Sequence, residues 1–249
     1  MVRFHEAAPF RTLAQLVEHP AFNRQVVGSN PTRPTIYTSM ITSDTEAWQK
    51  YPFHRQWFNK LWLSEKLGYV CGPNATPVPK SGQYIIRPIY NLHGMGAGAK
   101  IIHIEAGDLE AVPPGYFWCE VFKGSHLSVD LRWEKGKWVP TNIFRGIQLD
   151  KSTLSRFDLW LKVKQDVIIN KVLDELWDCQ TINIEMIGDK IIEVHLRGSP
   201  DPIEYTEMVP IWSDTPNETI NSLEKTHKFI TSYDYVYGTD LKRLGFFCR

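Results

Sequence analysis

The chain has 249 residues and a mass of 28.8 kDa, enough for one or two domains with a substantial core. Apolar residues make up 43% and aromatics 12%, which excludes a disordered chain that cannot offset its ordering entropy by burial. Lys plus Arg and Asp plus Glu both total 28, so the basic footprint of a nucleic-acid or anionic-membrane partner is missing. No stretch approaches the roughly 18 apolar residues that span a bilayer, and the N-terminus lacks the apolar core of a secretory signal, so a cytoplasmic protein is expected. Cys71, Cys119, Cys179 and Cys248 lie far apart in the sequence and read as reduced, mostly buried thiols.

Residues 1–39 hold four Arg, two Glu and neither Lys nor Asp, and the first lysine is Lys50. A flexible tail or an organelle transit peptide fits that composition. The codons suggest something sharper. Leu13-Ala14-Gln15-Leu16-Val17-Glu18-His19 can be encoded by the D-arm of a transfer RNA, and Gly28-Ser29-Asn30-Pro31 by a T-arm eight codons further on. This stretch resembles translated tRNA-gene sequence, so residues 1–39 are expected to be a non-native, disordered extension without function, with the natural start at Met40.

After Met40, Ser43-Asp44-Thr45-Glu46 has the form of a capping box, and Trp48 to Leu67 reads as one or two helices stopped by Gly68. Val70 to Pro79 is too rich in Pro and Gly for regular structure. Gln83 to Ile89 reads as a strand entering a Gly-rich loop, and Phe117 to Phe122 is a short apolar run. Leu127, Val129, Leu131 and Trp133 alternate with polar residues as in a half-buried strand, and Lys137 to Ile147 continues the sheet. Asp166 to Trp177 has helical spacing, Cys179 to Met186 and Lys190 to Leu196 form a hairpin, Asn217 to Ile230 reads as a helix, and a short strand ends the chain. Hairpins mixed with helices predict an α+β fold of two layers.

The hairpin register carries chemistry. A two-residue turn at Gly188-Asp189 would pair Glu185 with Ile192 and bury a charge among apolar residues. A three-residue loop through Lys190 instead aligns Ile182, Ile184, Met186, Ile192, Val194 and Leu196 on one face, with Asn183, Glu185, Glu193, His195 and Arg197 on the other. Glu185 then opposes Glu193, an unfavourable pairing of like charges unless a cation sits between them. Mg²⁺ suits such hard oxygens and takes its other ligands from phosphates; a sheet face balanced by Lys or Arg is the plainer alternative. Upstream, a strand delivers Arg87 into a loop carrying Gly94, Gly96 and Gly98, which either folds backbone N–H groups around an anion or is an ordinary surface turn.

Lys60, Arg87-Pro88 with the glycine loop, Glu120-Val121-Phe122 followed by His126, and Glu185 with Glu193-Val194-His195-Leu196-Arg197 occur in the order of the weak motifs of the ATP-grasp superfamily. The resemblance covers about residues 55–200. It implies two α+β subdomains with antiparallel sheets enclosing a nucleotide cleft, a glycine-loop subdomain at about 55–118 and a C-terminal subdomain at about 119–249. By the resemblance, Lys60 and Arg87 hold ATP phosphates under a loop of Gly94, Gly96 and Gly98. Glu120, Val121 and Phe122 form the adenine hinge, and His126 stands at the ribose. Glu185, Glu193 and His195 face Mg²⁺, with His195 either a ligand or a structural residue. Arg197 stabilises charge on the transferred phosphoryl group. The implied enzyme is an ATP-dependent carboxylate ligase that forms an acylphosphate for attack by an amine or other nucleophile, acting on small-molecule or peptide substrates.

Two departures stand out. Arg87 replaces the usual Lys, which changes geometry and reach. The stretch before Lys60 is too short for the family's N-terminal substrate domain, so the acceptor site is expected to be incomplete, or to be supplied by the C-terminal segment, a partner chain or a homodimer. The alternative function is a non-catalytic nucleotide-binding or interaction module.

Overall fold

Ser43 opens the helical layer with the expected reciprocal cap: its hydroxyl accepts from the Glu46 N–H and its own N–H donates to the Glu46 carboxylate, both at 3.2 Å. The computed structural model describes residues 41, 43–149, 154–235 and 239–249, so the expected extension at 1–39 lies outside the described residues. Helix α1 (Asp44–Lys50) comes first, then a 3-10 helix at Pro52–Phe58 and α2 (Lys60–Lys66). The expected helical stretch is thus divided into short pieces. Pro52 starts the second, and Asn59 starts the third by accepting from the Trp62 N–H at 2.9 Å.

The first sheet contains β1 (Cys71–Pro73), β2 (Gly82–Pro88), β3 (Lys100–Ile104) and β4 (Tyr116–Glu120), in the order β1-β4-β2-β3 and antiparallel throughout. Period-2 alternation sorts its faces. Tyr84, Ile86, Ile104 and Trp118 pack with Val78 and Val112 on one side, while Ile85, Arg87 and Cys119 face a cleft on the other.

The second sheet holds β5 (His126–Glu134), β6 (Lys137–Ile147), β7 (Leu159–Lys162), β8 (Thr181–Ile187), β9 (Lys190–His195), β10 (Glu207–Trp212), β11 (Lys228–Tyr235) and β12 (Lys242–Cys248). Their order is β11-β12-β10-β7-β6-β5-β8-β9, again antiparallel. Leu127, Val129 and Leu131 of β5 and Ile182, Ile184 and Met186 of β8 join Trp57, Phe58 and Leu63 of the helical layer in the main core. The other face of these strands turns Glu185 and His126 toward the cleft. The fold is α+β with two antiparallel sheets, as expected.

Several elements differ from expectation. The helix expected at 166–177 is instead a stretch without regular structure at 163–170 and a 3-10 helix at Lys171–Cys179, started by Asn170, whose side chain accepts from the Val172 N–H. The β-branched run Val167-Ile168-Ile169 resists helix, and Ile168 stands 81% exposed. The helix expected at 217–230 stops after α3 (Asn217–Leu223), which buries none of its residues, and the chain turns into β11. Pro210 hid β10. Its strand pairs with β7 only at Glu207 and Met208, leaving that side of the proline without a ladder to break.

Candidate functional site

Residues from both sheets line a cleft of about 570 Å³, within the usual range for small-molecule sites. Lys60, Arg87, Val121, Phe122, His126, Glu185 and Glu193 face it, as does Gly96 of the glycine loop.

Glu185 lies opposite Glu193 in the β8–β9 ladder, as the apolar pattern requires. The route differs from expectation. Ile187 pairs with Lys190 across a two-residue turn, Met186 pairs with Ile191, and Ile192 is the extra residue of a bulge that restores Glu185 to Glu193. The bulge puts Ile191 in the core in place of Ile192, and turns Ile192 beside Glu193 toward the cleft.

Three side chains stand against this pairing, with Lys60 and His195 supplying the cationic charge and His126 a hydrogen bond. Lys60 Nζ donates to Glu193 Oε1, and His126 Nε2 donates to Glu185 Oε2 at 3.1 Å. His195 places Nε2 3.9 Å from Glu185 Oε1 and 3.9 Å from Glu193 Oε1. Its other nitrogen, Nδ1, donates to Asp44 Oδ2 at 2.7 Å. Burial opposes the imidazolium, but the Asp44 charge and hydrogen bond, with help from Glu185, outweigh burial and the Arg197 charge and push His195 up to about 10. Burial likewise works against the Glu185 carboxylate, yet His126 and His195 hold it well below the ordinary range. As the protein stands, His195 is a charge partner of the acidic pair; to ligate a metal, its Nε2 must give up a proton.

Arg87 is the outlying cation. Only 7% exposed, it lies over the Phe117 ring at 5.2 Å, and its Nε is buried without a partner. Burial pushes the guanidinium below its usual range, while Glu193 and Glu185 pull it back up. A buried cation facing a cleft without a hydrogen bond among the described residues is poised for an anion.

The glycine loop between β2 and β3 takes left-handed conformations at Gly94, Met95, Gly96 and Gly98. Gly96 closes against the other side of the cleft, where a Cβ would stand 3.0 Å from the Leu154 carbonyl oxygen. Gly98 has a packing reason instead: a Cβ there would meet Tyr116 Oη at 2.7 Å and Pro88 at 3.0 Å. Gly94 and Gly98 do not line the main cleft.

Other expected residues have different neighbours. Glu120 does not line the cleft; its carboxylate accepts from the Val70 N–H at 3.0 Å. His126 is edge-on to Phe157 at 4.8 Å and to Trp160 at 5.7 Å while it serves Glu185. Arg197 lies outside the main cleft, in a side cavity, and forms an ion pair with Asp44 at 2.9 Å. Sequence reasoning missed Asp44, because an acidic residue in the first turn of a helix already has a sufficient local role. It also missed Arg145 and the wall of Phe157, Trp160 and Trp212, which line the cleft from β6, β10 and the segment around β7.

No protein-family model and no curated sequence matches the chain. Among solved structures, it is similar to an L-amino acid ligase from Bacillus licheniformis, at 12% identity and TM-score 0.38, over 57% of this chain and 41% of that one. It is also similar to the ATP-grasp ligase PsnB complexed with a precursor variant, Mg and ADP, at 14% identity and TM-score 0.35, over 58% of this chain and 50% of that one. A third likeness is to N5-carboxyaminoimidazole ribonucleotide synthetase from Thermus thermophilus, at 11% identity and TM-score 0.45, over 82% of this chain and 74% of that one. The chain thus spans about two fifths of the length of the L-amino acid ligase and half that of PsnB.

Proposed function

We propose that the chain is an ATP-grasp-type, ATP-dependent carboxylate ligase that forms carbon–nitrogen bonds. The observation that carries this reading is Arg87, buried with its Nε unpartnered among the described residues and facing the same cleft as Lys60 and the opposed pair Glu185 and Glu193. A nucleotide brings the phosphates that Arg87 lacks, and Val121 and Phe122 offer an edge for its base. The hard carboxylates of Glu185 and Glu193 fit Mg²⁺, which would neutralise phosphate charge; His195 stands beside them, held by Asp44. Lys60 can exchange Glu193 for a phosphate oxygen without leaving the cleft. The subdomains at about 55–118 and 119–249 close on the nucleotide, and Gly94, Gly96 and Gly98 give the loop its bend.

In the proposed reaction a substrate carboxylate oxygen attacks the γ-phosphorus and ADP leaves, giving an acylphosphate. An amine then attacks the acyl carbon and phosphate leaves. This chain contributes position and charge, the main sources of such catalysis. A carboxylate carrying ¹⁸O should pass one labelled oxygen to the released phosphate when protein, ATP, Mg²⁺ and an amine are combined. ADP formation that depends on both carboxylate and amine, without label in phosphate, contradicts the acylphosphate route.

A non-catalytic nucleotide-binding module is a second reading, favoured by Arg197, which the resemblance makes a catalytic cation but which is engaged by Asp44 at 2.9 Å. It predicts nucleotide binding without turnover for any acceptor.

A further inference from the structure

Away from the cleft, the 3-10 helix at Pro52–Phe58 and the end of the one at Lys171–Cys179 bring together His54, Asp178 and Cys179. His54 Nε2 lies 2.8 Å from Asp178 Oδ1 and 3.0 Å from Oδ2, and one ligand atom from each of the three residues lies within 4.8 Å of the others. Among the described residues this is the one such group of three.

We propose that His54, Asp178 and Cys179 bind a zinc ion that ties the helical layer to the segment leading into β8. Imidazole, carboxylate and thiolate together select a borderline-soft ion; Mg²⁺ and Ca²⁺ do not take sulfur. Ligands about 2.0 to 2.3 Å from a tetrahedral ion stand about 3.3 to 3.8 Å apart, so small side-chain rotations bring this group into register. Burial is graded across the site. Cys179 is in the core at 5% exposure, His54 is at the margin, and Asp178 is open to solvent, which leaves the fourth position for water. An ion pair between His54 and Asp178 alone is worth little at such a surface and gives the thiol no part. On binding, the Cys179 sulfur–hydrogen bond breaks, its proton passes to buffer and the sulfur lone pair forms the metal bond.

The full chain, reduced and stripped with chelator, is titrated with Co²⁺ in the presence of excess Mg²⁺. The expected result is one equivalent bound with a thiolate-to-cobalt absorption band, bleached when Zn²⁺ displaces the cobalt, and a melting temperature raised by Zn²⁺. Cys179→Ser should lose the band, and His54→Ala, a change at a less buried position, should weaken Zn²⁺ binding at least tenfold. Cys248→Ser should behave as wild type. Absence of the band in the wild type, or equal Zn²⁺ affinity in Cys179→Ser and wild type, overturns the proposal. Neither outcome touches the nucleotide reading, because Cys179 does not line the cleft, and the cleft's own thiol, Cys119, is unchanged in Cys179→Ser.

Discussion

Asp44 and His195 meet side chain to side chain at 2.7 Å although 151 residues separate them in sequence. The contact joins the first residue of α1 to the end of β9. It also orients the imidazole: with Nδ1 held by Asp44, Nε2 faces Glu185 and Glu193 at 3.9 Å each. The site therefore depends on a residue that touches neither carboxylate.

Asp44→Asn keeps the shape of the side chain but takes the close counter-charge from buried His195, leaving it Glu185 and Glu193 at 3.9 Å, and takes the ion-pair partner from part-buried Arg197. Breaking a buried pair from one side costs about 3 to 5 kcal/mol, so the denaturation midpoint should fall by about that equivalent at unchanged slope. Adding His195→Gln should recover part of the loss, with a coupling of about 1 to 3 kcal/mol in the double-mutant cycle. Strict additivity would show that the 2.7 Å contact contributes no coupling to stability.

The same contact makes stability pH-dependent. His195 is raised from 6.5 to about 10, so its contribution is complete below pH 6.5, declines by up to about 1.4 kcal/mol per pH unit above that, and is lost as pH passes about 10. Burial works to raise Asp44, but the charge and hydrogen bond of His195, with Arg197 and Lys60, bring it below 3.8; its contribution is present above pH 3.8 and is lost as acid protonates the folded carboxylate. Melting temperatures across pH should show an optimum between these limits. His195→Gln should flatten the alkaline side.

Arg87→Met removes the unpartnered guanidinium and keeps an aliphatic stem over Phe117. Charge-assisted hydrogen bonds are worth about 1.5 to 3 kcal/mol, so ATP affinity should fall by about ten- to a hundredfold, with part recovered in Arg87→Lys. The melting temperature should hold or rise, since a cation that burial disfavours is gone. A large drop in melting temperature with ATP affinity intact would make Arg87 a structural residue.

Strict alternation in β5 and the hairpin made the second sheet and the Glu185–Glu193 opposition legible, because one buried face fixes the register. The bulge at Ile192 was not legible: the apolar residues Ile191, Ile192 and Val194 satisfy either loop length until neighbouring strands select one. The helical spacing of 166–177 misled because it registers apolar positions but not the β-branched run Val167-Ile168-Ile169, which resists helix. Within the site, Lys60, Arg87, Glu185 and Glu193 could be found as charged residues in ordered motifs. Asp44 could not, since nothing local distinguishes an aspartate in the first turn of a helix from one whose side chain also reaches across the fold.

A chain beginning at Met40 should match the full chain in melting temperature and ATP affinity, as expected if residues 1–39 are not part of the working protein. Mass spectrometry of the natively expressed protein should find no peptide ending before Met40. Abundant peptides from 2–33 would contradict this reading.

The central claim, that opposed glutamates and a buried arginine hold a magnesium nucleotide, is tested most directly by calorimetric titration of wild type and Glu193→Gln with ATP, with and without Mg²⁺. The account predicts one ATP per wild-type chain, tighter binding with Mg²⁺ than without, and at least a tenfold loss of that Mg²⁺-dependent affinity in the variant. Equal Mg-ATP affinity in the two proteins, or no ATP binding by the wild type, would contradict it.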